Sequence, residues 1–265
     1  MEYFRHILDR RTFKLLNNGV FCVNKVKNTS TSNVINQIKS VLSQDISHLN
    51  PEAEDHVNMF MKVGHGGILE DSASGVLVVG VSFGCKVLNN VSNRNKHYRV
   101  TGRLGAATDT FTNSGNITSS APYDHITQAM IESCLKFFEG RIIQSTTSPL
   151  LRFSCRPRVV ECHHLCLVSF CPPYFTLDVV CGNGFYVRSL VHDLGAALES
   201  AACVTDCVRT QQGPFSLKDC LNQEDWSLEN ILASMMTTKF QHKQLFNVLP
   251  AREISYLYHN VHISA

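Results

Sequence analysis

Residues 175–198, FTLDVVCGNGFYVRSLVHDLGAAL, place a strand, a turn and a helix in immediate succession. FTLDVVC reads as the strand and GNG as the turn. In the helix that follows, Val187, Leu190, Val191, Leu194, Ala197 and Leu198 form the apolar face. Arg188 lies in its first turn, off that stripe. An arginine there works against the helix dipole, which favours anions, so it either points to solvent or meets a carboxylate.

Upstream segments repeat the mixture. KHYRVTGRL (96–104) alternates Tyr98, Val100 and Gly102 against Arg99, Thr101 and Arg103, strand spacing with one charged face. GVLVVGV (75–81) has the length of a buried strand. ITQAMIESCLKFFEG (126–140) sets Ile131, Leu135 and Phe138 at helical intervals, with Gly140 as its stop. NNGVFCVNKVKNTSTSNVINQIKSVL (17–42) reads as strand, polar turn and helix, with Ser32 as N-cap and Val34, Ile35, Ile38, Val41 and Leu42 as the apolar face. Residues 43–58 are polar and read as a loop. Helices and strands are interspersed without strict alternation, which predicts an α+β fold.

A chain of 265 residues can bury one sizeable core. Its 44% hydrophobic and 17% charged composition is that of an ordinary globular protein, and no apolar run approaches bilayer length, so no membrane span is expected. MEYFRHILDRRTFKLL is charged throughout and is not a secretory signal. Its three arginines give it a weak likeness to an organelle presequence, against which Glu2 and Asp9 count. An intracellular protein is expected, with nucleus, cytosol and mitochondrion all open. The 11 cysteines are scattered and odd in number, which reads as reduced thiols. In ECHHLC (161–166), Cys162, His164 and Cys166 share one face of a strand but do not converge as zinc ligands do, so a half-buried strand is expected and no metal.

Net charge is only +2, but its distribution is uneven. Residues 86–103 carry Lys86, Arg94, Lys96, Arg99 and Arg103 with no acid, and residues 141–158 carry four arginines with none. Two acid-free basic segments point to a polyanion-facing side. GVSFGCK (80–86) has glycines in the wrong frame for a phosphate loop, and no Ser or Thr follows Lys86. Two pieces remain that can build a site. One is KVGHGGILEDSASGVLVVGV (62–81), where Glu70 and Asp71 follow a glycine turn. The other is Arg188 after GNGFYV, whose forked guanidinium can hold a carboxylate ionised, with Tyr98 and Tyr186 as flat surfaces nearby.

Taken together, KVGHGGILEDSASGVLVVG, KHYRVTGRLGAATDTFTNSG, FTLDVVCGNGFYVRSLVHDLG and VRTQQGPFSL resemble the TruB family of RNA pseudouridine synthases, most of all its eukaryotic single-domain members. The likeness runs from about Gly19 to Leu228. It implies the pseudouridine synthase fold, a mixed, mainly antiparallel sheet with flanking helices, over 17–228. An N-terminal tail (1–16) and a C-terminal extension (229–265) would flank it, with no RNA-binding PUA domain. It implies isomerisation of uridine to pseudouridine in the tRNA T-arm stem-loop, with mRNA as a second substrate class, by a monomer that needs no cofactor. By the same resemblance the catalytic group is Glu70 or Asp71 with Arg188 orienting it. His65, Tyr98, Tyr186 and Val208 hold the flipped nucleotide, and Lys96, Arg99 and Arg209 contact the RNA backbone.

Three departures from the family pattern stand out. The family's catalytic Asp falls on Glu70, whose extra methylene moves the carboxylate by more than about an ångström, a misplacement that can cost about a hundredfold in rate. A central segment near 145–157 is shortened, which weakens the expected grip on RNA. Val26 and Asn28 replace a Pro and a Gly, which predicts a less well specified turn. These departures keep a second function open, that of an RNA-binding protein or tRNA-folding helper without catalysis.

Overall fold

A computed structural model describes residues 9–49, 61–144 and 157–248. The shortened segment near 145–157 therefore lies almost wholly outside the described residues. In chain order the elements are α1 (Arg10–Asn17), β1 (Val20–Lys25), α2 (Thr31–Leu49), β2 (Val63–His65), β3 (Ser74–Val81), α3 (Leu88–Ser92) and β4 (Lys96–Leu104). There follow β5 (Ala106–Thr108), β6 (Ile117–Ser120), α4 (Gln128–Leu135), β7 (Gly140–Gln144), β8 (Arg158–Cys171) and β9 (Tyr174–Cys181). Last come α5 (Val187–Ala197), β10 (Ala202–Gln212), β11 (Phe215–Ser216) and α6 (Leu228–Gln241). The described residues form two compact units, one drawn from within 1–71, 75–92 and 212–265, the other from within 72–74 and 93–211.

In the first unit β1 runs antiparallel to β3, from Val20 opposite Gly80 to Lys25 opposite Gly75, and β2 also pairs with β3. The pair is buried on both faces, which explains why GVLVVGV shows no polar alternation. Leu77, Val79 and Val81 join Phe21 and Val23 against α2 and α6, whereas Val76 and Val78 join Val20, Cys22, Val87, Phe215 and Phe246. Helix α2 begins two residues earlier than expected, because Ser30 rather than Ser32 caps it: Ser30 Oγ accepts from Asn33 N at 3.1 Å. It also runs on to Leu49 through residues that read as a loop. Ile46 is buried there, and its burial, worth about 2 kcal/mol, outweighs the few tenths per residue lost to the polar neighbours. Leu16 lies in the expected tail, and Ile231 and Met235 in the expected extension. All three are buried in this core, so both boundaries pass through packed structure.

The second unit carries strands in the order β10-β4-β9-β8-β7. The pairs β4/β9, β9/β8 and β8/β7 are all antiparallel, and Pro172–Pro173, joined by a cis bond, turns β8 into β9. Along β9 Phe175, Leu177, Val179 and Cys181 are buried and alternate with less buried positions. Helix α4 packs on β8 and α5 on β4. Val187, Leu190, Val191 and Leu194 of α5 are buried as expected, but Ala197 is exposed at its end. The segment ECHHLC is a strand, yet its alternation is broken by a bulge between Cys162 and His164. Cys162 faces inward, and burial pushes its thiol up to about 11, while His164 is exposed beside Glu139. The three residues therefore do not share a face, and the described residues include no cluster able to hold a metal ion.

Candidate active site

The two acids stand in different surroundings. Glu70 is half-buried and Asp71 is exposed in a turn. Leu69 before them is buried and is fastened by one side chain, Thr31, whose Oγ donates to Leu69 O at 2.8 Å and accepts from Leu69 N at 3.1 Å. Upstream, Gly66 N donates to Val78 O at 2.8 Å and the Gln212 amide donates to Gly66 O at 2.6 Å. Gly67 N donates to Nδ1 of His65 at 3.3 Å. The turn needs glycine at Gly67 (φ +137°) and at Gly75 (φ +108°), backbone that a Cβ disfavours.

Downstream the loop is held by the segment whose turn was expected to be poorly specified. It is not. Asn28 takes the left-handed conformation (φ +62°) that glycine would adopt and that asparagine tolerates, and its N donates to Asp71 O at 2.7 Å. The fully buried Lys25 points its ammonium at three carbonyls, Thr29 (2.6 Å), Val26 (3.1 Å) and Asp71 (3.4 Å). A buried lysine needs such partners, and these join the turn to the loop.

The remaining site residues belong to the second unit. Tyr98 on β4 is partly exposed as a residue, but its hydroxyl lies deep, and burial pushes its pKa up to about 12. Val208 on β10 is half-buried. Tyr186 precedes α5, and Gln144 clamps its backbone by donating to Tyr186 O at 3.2 Å and accepting from Tyr186 N at 2.9 Å. Arg188 does lie half-buried in the first turn of α5, and its Nη1 donates to Thr110 O at 2.5 Å.

Two of the expected RNA-backbone contacts are corrected by burial. Arg209 is 0% exposed and Lys96 only 7%. Lys96 donates to Arg94 O at 3.1 Å, and burial together with the nearby Arg209 charge lowers its pKa. Both face inward because they share the register of core residues, Lys96 with Val100 and Arg209 with Cys207. Arg99 faces outward, its fork engaged by Asp178 at 2.8 and 2.7 Å. Arg94 and Arg103 are exposed as well. Thr31, Gln144 and Gln212, which position the site, had no local signal. They lie 38, 42 and 146 residues from the groups they hold.

Residues 56–149 match the model of the TruB family pseudouridylate synthase N-terminal domain. The chain is 40% identical over 235 residues to pseudouridylate synthase TRUB1 of Mus musculus, covering 82% of this chain and 70% of that protein. It is 28% identical over 224 residues to tRNA pseudouridine synthase B of Dehalococcoides mccartyi, covering 78% and 69%. Among solved structures it is similar to a chain of a Cbf5–Nop10–Gar1 complex, with a TM-score of 0.63 and 22% identity. That match covers 88% of this chain and 58% of the other, and it shows a shared fold.

Proposed function

The chain belongs to the TruB family of pseudouridine synthases, and on that premise we propose that it isomerises uridine to pseudouridine in RNA, with the T-arm stem-loop of tRNA as its target. The catalytic acid in this reading is Glu70. The observation that carries it is the contrast within one pinned loop: Glu70 is half-buried directly after Leu69, which Thr31 fastens, while Asp71 faces solvent.

The reaction conserves atoms. The bond from ribose C1′ to uracil N1 breaks, the base turns, C1′ bonds to C5, and the hydrogen leaving C5 is matched by one gained at N1. No oxidant, reductant or group donor enters the balance, so the protein's task is to flip the base, hold both fragments and present a carboxylate to the ribose–uracil unit. His65 helps to hold the flipped nucleotide and Tyr98 stacks on the base. Tyr186 and Val208 line the pocket. Arg188 is the cation assigned to the carboxylate, with the Thr110 carbonyl fixing its guanidinium. The outward cations Arg94, Arg99 and Arg103 serve the phosphate backbone. We extend the reading to mRNA loops of similar shape and to action as a monomer.

A second reading, RNA binding without modification, is favoured by the glutamate where the family has aspartate. The loop backbone is tied on both sides, so only the side-chain torsions of Glu70 can absorb the extra methylene. Tritium release from a T-arm stem-loop labelled at uridine C5 separates the two. Release with the unaltered protein is expected. RNA binding with no release, from protein that melts cooperatively, would select the second reading.

A further inference from the structure

The loop between β5 and β6 is knotted by its own polar groups. Thr108 Oγ donates to Thr112 O at 2.7 Å, and Asp109 accepts from Asn116 N at 2.9 Å and from its amide at 3.1 Å. Two adjacent residues leave this knot to meet α5. Thr110 offers its carbonyl to Arg188 Nη1, and Phe111 lays its ring on His192, with centroids 4.0 Å apart and planes 17° from parallel. Positions 188 and 192 are four apart on the helix and so lie on one face. The dipeptide therefore grips two successive points of the face that carries the arginine.

Phe111 holds this pose at a cost. Its φ of +60° is left-handed, which a bulky side chain rarely adopts. Such a conformation persists only where the surroundings over-determine it, and they do. Phe111 O accepts from Val204 N at 2.8 Å and Asn113 N donates to Val204 O at 2.9 Å, which locks the loop to β10. The stack holds the front of the same residue. A strained aromatic fixed from both sides sets the height of the Thr110 carbonyl, and that carbonyl takes one of the five donors that define the guanidinium plane.

We propose that Phe111 and His192 are positioning residues that hold the Arg188 guanidinium through the Thr110 carbonyl. The proposal rests on the synthase reading for its catalytic consequence but not for its geometry. Neither ring acts on substrate. Loss of the stack removes one of the two supports of Phe111, lets the Thr110 carbonyl shift and loosens its hold on the guanidinium.

The test joins kinetics to a spectroscopic signature. In the unaltered protein the restrained guanidinium is expected to give separate Nη1 and Nη2 signals for Arg188 in 15N NMR. Phe111→Ala should shift and broaden the Nη1 signal and lower kcat on the stem-loop about 10- to 100-fold, with RNA Kd within about twofold. Phe111→Tyr keeps the stack and should retain both signals and kcat. His192→Phe should do the same. It should also raise Tm, because Nδ1 of His192 is buried with no hydrogen-bond partner among the described residues. An unshifted, sharp Nη1 signal and unchanged kcat in Phe111→Ala would overturn the proposal. If that variant melts below the assay temperature, His192→Ala is read in its place by the same criteria. If the unaltered protein makes no pseudouridine, the synthase reading falls alone, and the guanidinium signals still decide the positioning.

Discussion

The two charged candidates, Glu70 in the first unit and Arg188 in the second, are held by different means. Glu70 sits on a loop without regular structure, next to the buried Leu69, and the loop's backbone is fastened by hydrogen bonds to Thr31, Gln212, Asn28 and Lys25. Arg188 sits on α5, whose Val187, Leu190, Val191 and Leu194 are anchored in a core. Apolar anchoring is strong and tolerant of small shifts, whereas a tied loop is weaker and sets position more sharply. The acid is therefore the part whose placement single polar substitutions can spoil while the fold survives. The arginine is lost only when α5 or the loop that braces it gives way.

The largest expected effect lies on the helix side. Leu194→Ala removes a fully buried side chain from α5 and should destabilise the protein by about 2–5 kcal/mol, read as a lowered denaturation midpoint, with activity falling in step with the folded fraction. If activity fell much further than the folded fraction, the picture of a tolerant helix would be wrong.

Next comes pH. The Tyr98 hydroxyl has its pKa raised by burial from 10 to about 12, so the folded state keeps a proton that the unfolded state releases. Stability from this group is complete below pH 10 and is lost as pH rises from 10 to 12, at most about 2–3 kcal/mol. The unaltered protein should thus lose stability relative to Tyr98→Phe across that interval. Parallel curves would place the hydroxyl in solvent.

On the loop side, Thr31→Val leaves both Leu69 N and Leu69 O without their hydroxyl. A stability loss of about 1–3 kcal/mol is expected, with a fall in kcat about 10- to 100-fold in protein that remains folded. A stability loss with kcat intact would mean that the tie supports the fold and not the acid. The smallest effect belongs to the surface. Asp178→Ala removes the ion pair of Arg99, both partners being exposed, and should leave Tm unchanged within error.

The elements with strong periodicity were legible in the sequence. FTLDVVC and the helix after GNG take their places because burying a stripe or a strand face dominates local choice. The far half of α2 was hidden because one buried apolar residue, Ile46, anchors a stretch that is otherwise mostly polar. The fate of Lys96 and Arg209 was obscured by their charge, although both stand in register with buried neighbours and the period of two places them inside. Thr31, Gln144 and Gln212 were out of reach for a different reason. Their partners are backbone groups distant in sequence, and a hydrogen bond to a carbonyl leaves no mark on the composition around either end.

The central claim is that Glu70 is the working acid and Asp71 is not. Single-turnover tritium release from a T-arm stem-loop labelled at uridine C5 should be abolished by Glu70→Gln and kept within about threefold by Asp71→Asn, with Glu70→Asp at least as fast as the unaltered protein. Release that survives Glu70→Gln and disappears with Asp71→Asn would contradict that assignment and move the catalytic carboxylate to the exposed neighbour.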